Sequence, residues 1–87
     1  MFTRSGSAEW QGGLKDGKGT VSTQSGALDA LPYGFNTRFA DEPGTNPEEL
    51  IAAAHAGCFS MALAHGLAGA GHPAERVSTT AKVHLEK

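Results

Sequence analysis

Between Leu50 and Ala70 the chain carries no Asp, Glu, Lys or Arg, and this 21-residue run constrains the fold more than any other feature. A strong helix-start signal precedes it, Gly44-Thr45-Asn46-Pro47-Glu48-Glu49. Thr45 or Asn46 can serve as N-cap, each with a glutamate three residues on to complete a capping box. Pro47 suits the first helical turn, where its missing N–H costs nothing. Glu48 and Glu49 sit favourably against the positive end of the helix dipole, so capping alone accounts for both. A helix apolar all round must be covered on every side, and the expectation is a long central helix buried in protein.

The run is long enough to span a bilayer. Its contents are poor for that task. Ala and Gly fill more than half of it, and His55, Ser60 and His65 add polar groups that lipid penalises. No cluster of Lys or Arg flanks either end to set an orientation. The reading is therefore no membrane span.

With 87 residues the chain is one domain, 1–87, whose own core supplies modest stability. A net charge of −2 and a pI near 6.0 argue against nucleic acid as the main partner, because no basic stripe displaces counterions from phosphate. One cysteine forms no internal disulfide, so no stapled secreted scaffold is indicated. Met1 to Gly6 lacks the apolar stretch of a signal peptide, and a soluble cytoplasmic protein is expected.

Outside the run the chain reads as strands. Thr3 to Trp10 is a short, weakly patterned segment. Gln11-Gly12-Gly13 and Lys15-Asp16-Gly17-Lys18-Gly19 are turn signals leading into a hairpin strand over Thr20–Thr23. Leu31-Pro32-Tyr33-Gly34 marks another turn region. Phe35 to Phe39 alternates, with Phe35, Thr37 and Phe39 on one face. After stop signals at Gly69, Gly71 and Pro73, Val77, Thr79, Ala81, Val83 and Leu85 face one way in a last strand. The predicted order is β-β-β-α-β, an α+β fold.

Cys58 lies in the middle of the predicted helix. A lone helical cysteine flanked by Ala56, Gly57 and Phe59 is ordinarily a small buried hydrophobe. Reactivity needs the thiolate, and mid-helix the helix N-terminus gives little help. His55 and His65 fall roughly on the same side as Cys58 and read equally as solvent-facing or core histidines. One Cys with two widely spaced His is no zinc set, so neither a metal nor a cofactor is expected.

Three stretches together change the balance: Pro32-Tyr33-Gly34-Phe35-Asn36-Thr37-Arg38-Phe39, Gly44-Thr45-Asn46-Pro47-Glu48-Glu49-Leu50, and Ala53-Ala54-His55-Ala56-Gly57-Cys58-Phe59-Ser60-Met61-Ala62-Leu63. They resemble the OsmC/Ohr family, the osmotically inducible and organic-hydroperoxide-resistance proteins of bacteria. Lys18 to Thr23 and the Tyr-Gly-Phe-Asn-Thr-Arg string resemble the OsmC branch. The resemblance implies a thiol-dependent peroxidase that reduces organic hydroperoxides and, less preferentially, hydrogen peroxide. It also implies an intertwined homodimer whose sheets wrap around central helices. By motif Cys58 matches the peroxide-attacking cysteine, Arg38 the arginine that activates it, and Glu48 the glutamate that holds the arginine.

The residue types suit that chemistry. A thiolate attacking a peroxide oxygen becomes a sulfenic acid. A nearby guanidinium stabilises both the thiolate and the charge developing on the leaving oxygen. A carboxylate paired bidentately with the guanidinium fixes its fork. Ala54, Phe59 and Met61 can favour alkyl peroxides, or serve equally well as packing. Glu48 and Cys58 are ten residues apart, ~15 Å along one straight helix, which points to a site completed by a second subunit.

One departure matters. Family members are longer and carry a second, resolving cysteine in their later half, which makes 1–87 the N-terminal portion of the family's domain. With one cysteine, the sulfenic acid must be met by an external thiol reductant, of dithiol or lipoyl type, or be over-oxidised. The competing reading is a truncated, catalytically incompetent dimerisation or binding module of the same fold.

Overall fold

The computed structural model describes residues 1–40 and 42–86. Lys87, the last residue of the predicted C-terminal strand region, lies outside them. The chain divides into two compact units, Met1–Asn46 and Pro47–Lys87.

The first unit is a three-stranded antiparallel sheet, ordered β1 (Gly6–Gln11), β2 (Lys18–Thr23), β3 (Leu31–Tyr33), followed by a short helix α1 (Phe35–Phe39). The predicted hairpin forms, and β2 starts two residues before the expected Thr20. Its turn is held by Gly17 N–H donating to the Gly13 carbonyl at 2.8 Å and Gly13 N–H donating to the Asp16 carboxylate at 3.1 Å. Across the sheet, Gly19 is in register with Trp10 on one side and Tyr33 on the other. The two rings close over it, centroids 5.3 Å apart and planes tilted by 54°. Such pairs contribute ~0.5–1.5 kcal/mol beyond their buried area.

Two expectations in this unit are corrected. Leu31 to Tyr33, expected as a turn, is β3, an edge strand in which Pro32 lacks only a donor that the sheet does not need there. Phe35 to Phe39, expected as a strand, is helix α1. The apolar pattern misleads because residues four apart share a face in both periodicities. In the helix Phe35 and Phe39 touch, ring centroids 4.9 Å apart, while Thr37 turns back to the helix start.

The second unit is helix α2 (Pro47–Gly69) and the segment that follows. Pro47 opens the helix, which puts Asn46 at the N-cap position, with Glu48 and Glu49 in the first turn. Hydrogen bonds from Ala70, Gly71 and His72 N–H groups to Gly66, Ala68 and Leu67 carbonyls close its C-terminal end. The strand expected after it is absent: residues 77–85 form no ladder. Their alternation survives as far as residue 81, with Val77, Thr79 and Ala81 half-buried and Ser78, Thr80 and Lys82 exposed.

Within this single chain the predicted central helix is not covered. No residue of α2 is buried, and no hydrophobic side chain is buried among the described residues. Half-buried positions on α2 recur at Ala52, Ala56, Ser60 and Ala64, one stripe at four-residue spacing. The remaining apolar surface, including Ile51, Phe59 and Met61 at 76% exposure, is uncovered by this chain. By length and composition α2 is also apolar enough to cross a membrane, a test that core helices of soluble proteins pass as well.

Candidate functional site

Cys58 lies on α2 two positions from both Ala56 and Ser60, and two residues turn ~200° around a helix. It therefore occupies the face opposite the half-buried stripe, and its thiol is exposed. Its neighbours one turn away, Ala54 and His55 before it and Met61 and Ala62 after it, are exposed too. The buried hydrophobe that its local sequence favours is not what the chain contains.

Glu48 is half-buried in the first turn of the same uninterrupted helix. Ten residues of α-helix separate it from Cys58, ~15 Å along the axis and ~80° around it. The two groups therefore do not meet on α2.

Arg38 belongs to the first unit, at the C-terminal end of α1, and is half-buried. Its guanidinium carbon lies 5.2 Å from the centroid of the Phe39 ring, a cation–π contact that directs the side chain. His55 and His65, on the exposed side of α2, join no cluster of three or more potential metal ligands among the described residues.

The segment bearing Arg38 is built with more hydrogen bonds than the sequence indicates. Thr37 is nearly buried, at 9% exposure, and its hydroxyl closes on both backbone groups of Gly34. It accepts from the Gly34 N–H and donates to the Gly34 carbonyl, each at 2.8 Å. Asn46 donates from Nδ2 to the Thr37 carbonyl at 3.1 Å. Thr45, buried at 5% exposure, donates its N–H to the Pro32 carbonyl at 2.9 Å. Gly44 makes that approach possible: its φ is +140°, and a Cβ there would lie 2.5 Å from the Pro32 oxygen. In the sequence Thr45 and Asn46 read as caps. Their second role, stitching the loop to β3 and α1, had no local signal beyond the glycine.

The first unit also contains a cavity of about 580 Å³, walled by Tyr33, Phe35 and Asn36 with Glu9, Lys18 and Glu42 among its charged lining. Arg38 does not line it. Its lining does include Thr37, the residue before Arg38.

Comparison with known proteins adds an independent line. The family model described as OsmC-like protein matches residues 40–87. The chain is 61% identical over 84 residues to the peroxiredoxin OsmC of Escherichia coli (strain K12) and, to the same extent, to that of Shigella flexneri. Those alignments cover 97% of this chain and 59% of each relative, so the chain spans about three-fifths of the length of the curated relatives it matches.

Proposed function

The chain belongs to the OsmC-like protein family, and from that premise we propose that it carries the peroxide-attacking half of a thiol peroxidase acting on organic hydroperoxides and hydrogen peroxide. The observation that carries this reading is the 61% identity over 84 residues to peroxiredoxin OsmC, in a chain whose one cysteine is Cys58.

In the proposed step the Cys58 thiolate attacks the terminal oxygen of the hydroperoxide. An S–O bond forms and the O–O bond breaks. The electron pair leaves on the alkoxide, which takes a proton to become the alcohol. Sulfur is oxidised to the sulfenic acid and the peroxide is reduced. Arg38 stabilises the thiolate and the oxygen on which charge develops, and Glu48 holds the guanidinium fork. An external dithiol or lipoyl-type reductant then attacks the sulfenic sulfur, expelling water, and its second thiol closes a disulfide that regenerates Cys58.

The ~15 Å separation of Glu48 and Cys58 on one helix supports a site drawn from two copies of the chain. The uncovered apolar surface of α2 supports a homodimer that buries it, with protein rather than lipid as the cover, in the cytoplasm. Ala and Gly along the helix allow two such backbones to approach closely.

Mass spectrometry after one equivalent of cumene hydroperoxide, with a sulfenic acid trap present, tests the reading. Expected is a single adduct on Cys58, absent in Cys58→Ser. An unmodified thiol after full peroxide exposure would instead favour the non-catalytic dimerisation module. That outcome would be joined by a Cys58 alkylation rate indifferent to Arg38→Ala.

A further inference from the structure

We propose that Thr37 and Asn46 are positioning residues for Arg38. The inference rests on the reading of Arg38 as the residue that activates the thiol. Helix α1 has five residues, far below the length at which a helix holds itself together in water. Its geometry must be imposed by groups outside its own ladder. Thr37 supplies the first constraint, closing on both the N–H and the carbonyl of Gly34 at 2.8 Å and so fixing where the turn begins. Asn46 supplies the second, donating at 3.1 Å to the carbonyl of Thr37, the peptide group that links Thr37 to Arg38. A bond to that carbonyl limits rotation of the peptide plane from which the Arg38 backbone departs. Phe35 and Phe39, 4.9 Å apart, pin the far side of the turn, and Phe39 carries the guanidinium contact at 5.2 Å.

The Thr37–Gly34 pair is a capping box at the start of α1. The Asn46 bond adds a second tie, so Thr37, the residue preceding the arginine, is held through its side chain to Gly34 and through its carbonyl to Asn46. Catalysis by a preorganised cation depends on direction as well as charge, so a loosened α1 lowers the benefit of an intact guanidinium. Thr37 and Asn46 touch no substrate in this proposal and act only through Arg38.

The test is the rate of Cys58 alkylation by iodoacetamide at neutral pH in the full chain. The variants are Arg38→Ala, Thr37→Val, Thr37→Ser, Asn46→Ser and the double variant Thr37→Val with Arg38→Ala. Serine is as good an N-cap as asparagine, so Asn46→Ser keeps the start of α2 while removing the amide donor. In this reading, loss of the guanidinium's help to the reacting sulfur slows the reaction by about tenfold. Arg38→Ala, Thr37→Val and Asn46→Ser are each expected to show that loss. Thr37→Ser should react at close to the parent rate, and the double variant no more slowly than Arg38→Ala alone. Parent-like rates in Thr37→Val and Asn46→Ser beside a slow Arg38→Ala would overturn the clamp and leave the arginine's role standing. A parent-like rate in Arg38→Ala would remove that role and the clamp together. Additive slowing in the double variant would overturn the clamp by showing a second route to the thiol. If Thr37→Val fails to fold, Asn46→Ser and its double variant with Arg38→Ala decide the question.

Discussion

Trp10 and Tyr33, on the two outer strands, meet across the central strand with ring centroids 5.3 Å apart, and Gly19 is the residue beneath them. A Cβ at Gly19 would stand 2.7 Å from Trp10 Cε3 and 2.7 Å from Tyr33 Cε1. The glycine weakens β2 intrinsically, and the aromatic pair compensates by covering the bare backbone. The first unit buries no hydrophobic residue completely among the described residues, so this cover is partial.

Gly19→Ala is therefore expected to cost ~1–3 kcal/mol, the usual range for forcing a methyl into a filled space. The chain has one tryptophan, so its fluorescence reports the pair directly. Urea unfolding followed at Trp10 should show a lower midpoint and an emission shift already present without denaturant. An unchanged midpoint and spectrum would mean that the rings do not rest on Gly19.

Ala30 has a positive φ of 52°, the left-handed region that costs an L-residue ~1–2 kcal/mol. Its N–H donates to the Ser22 hydroxyl at 2.9 Å, which holds it there. Ala30→Gly removes the steric cost but adds freedom to the unfolded chain, worth ~0.4–1 kcal/mol in the opposite sense. The net expectation is a gain of about 0.5 kcal/mol, read as a small rise in the urea midpoint. A fall would show that the observed turn is not adopted in solution.

Gly44→Ala should be more damaging. Its φ of +140° and the 2.5 Å clearance to the Pro32 oxygen leave no room for a methyl group. The Thr45 N–H bond to Pro32 would be lost with it, at a total cost of roughly 1–3 kcal/mol. Amide exchange at Thr45 is the direct measurement. Protection retained at that amide in the variant would refute the stitch between the loop and β3.

Helix α2 was legible because its signals agree: a proline after a capping residue, glutamates in the first turn, and a long run without charge. The hairpin was legible from its glycines. Two segments were not. Phe35 and Phe39 share a face in a strand and in a helix alike, and only the closure of Thr37 onto Gly34 decides for the helix. Leu31-Pro32-Tyr33 looks like a turn because proline rarely sits in a strand, yet an edge strand tolerates it. Cys58, Arg38 and Glu48 are proposed as a site from the resemblance, and Glu48 and Cys58 do not meet on α2. Sequence could not reveal that the thiol would be exposed, since covering α2 needs partners that local pattern does not specify. Nor could it reveal the bond from Asn46 to Thr37, which depends on a loop returning over nine residues.

The last segment offers a test of how α2 holds its neighbour. The Ser60 hydroxyl donates to the Ala56 carbonyl at 2.8 Å, one turn back along the helix. Its single proton is committed there, so across the 2.6 Å contact with Thr79 the threonine is the donor. Thr79 is the middle of three alternating half-buried residues, and no ladder supports them. Thr79→Val keeps the shape and removes the donor, so it should cost about 1 kcal/mol and accelerate amide exchange over residues 77–81. Thr79→Ser keeps the donor and should preserve most of the protection. Ser60→Ala removes the acceptor together with its own bond to the Ala56 carbonyl, so the Thr79 contact is read from the double variant, which should lose little more than Ser60→Ala alone. Independent, additive losses would show that the two hydroxyls stabilise the segment separately.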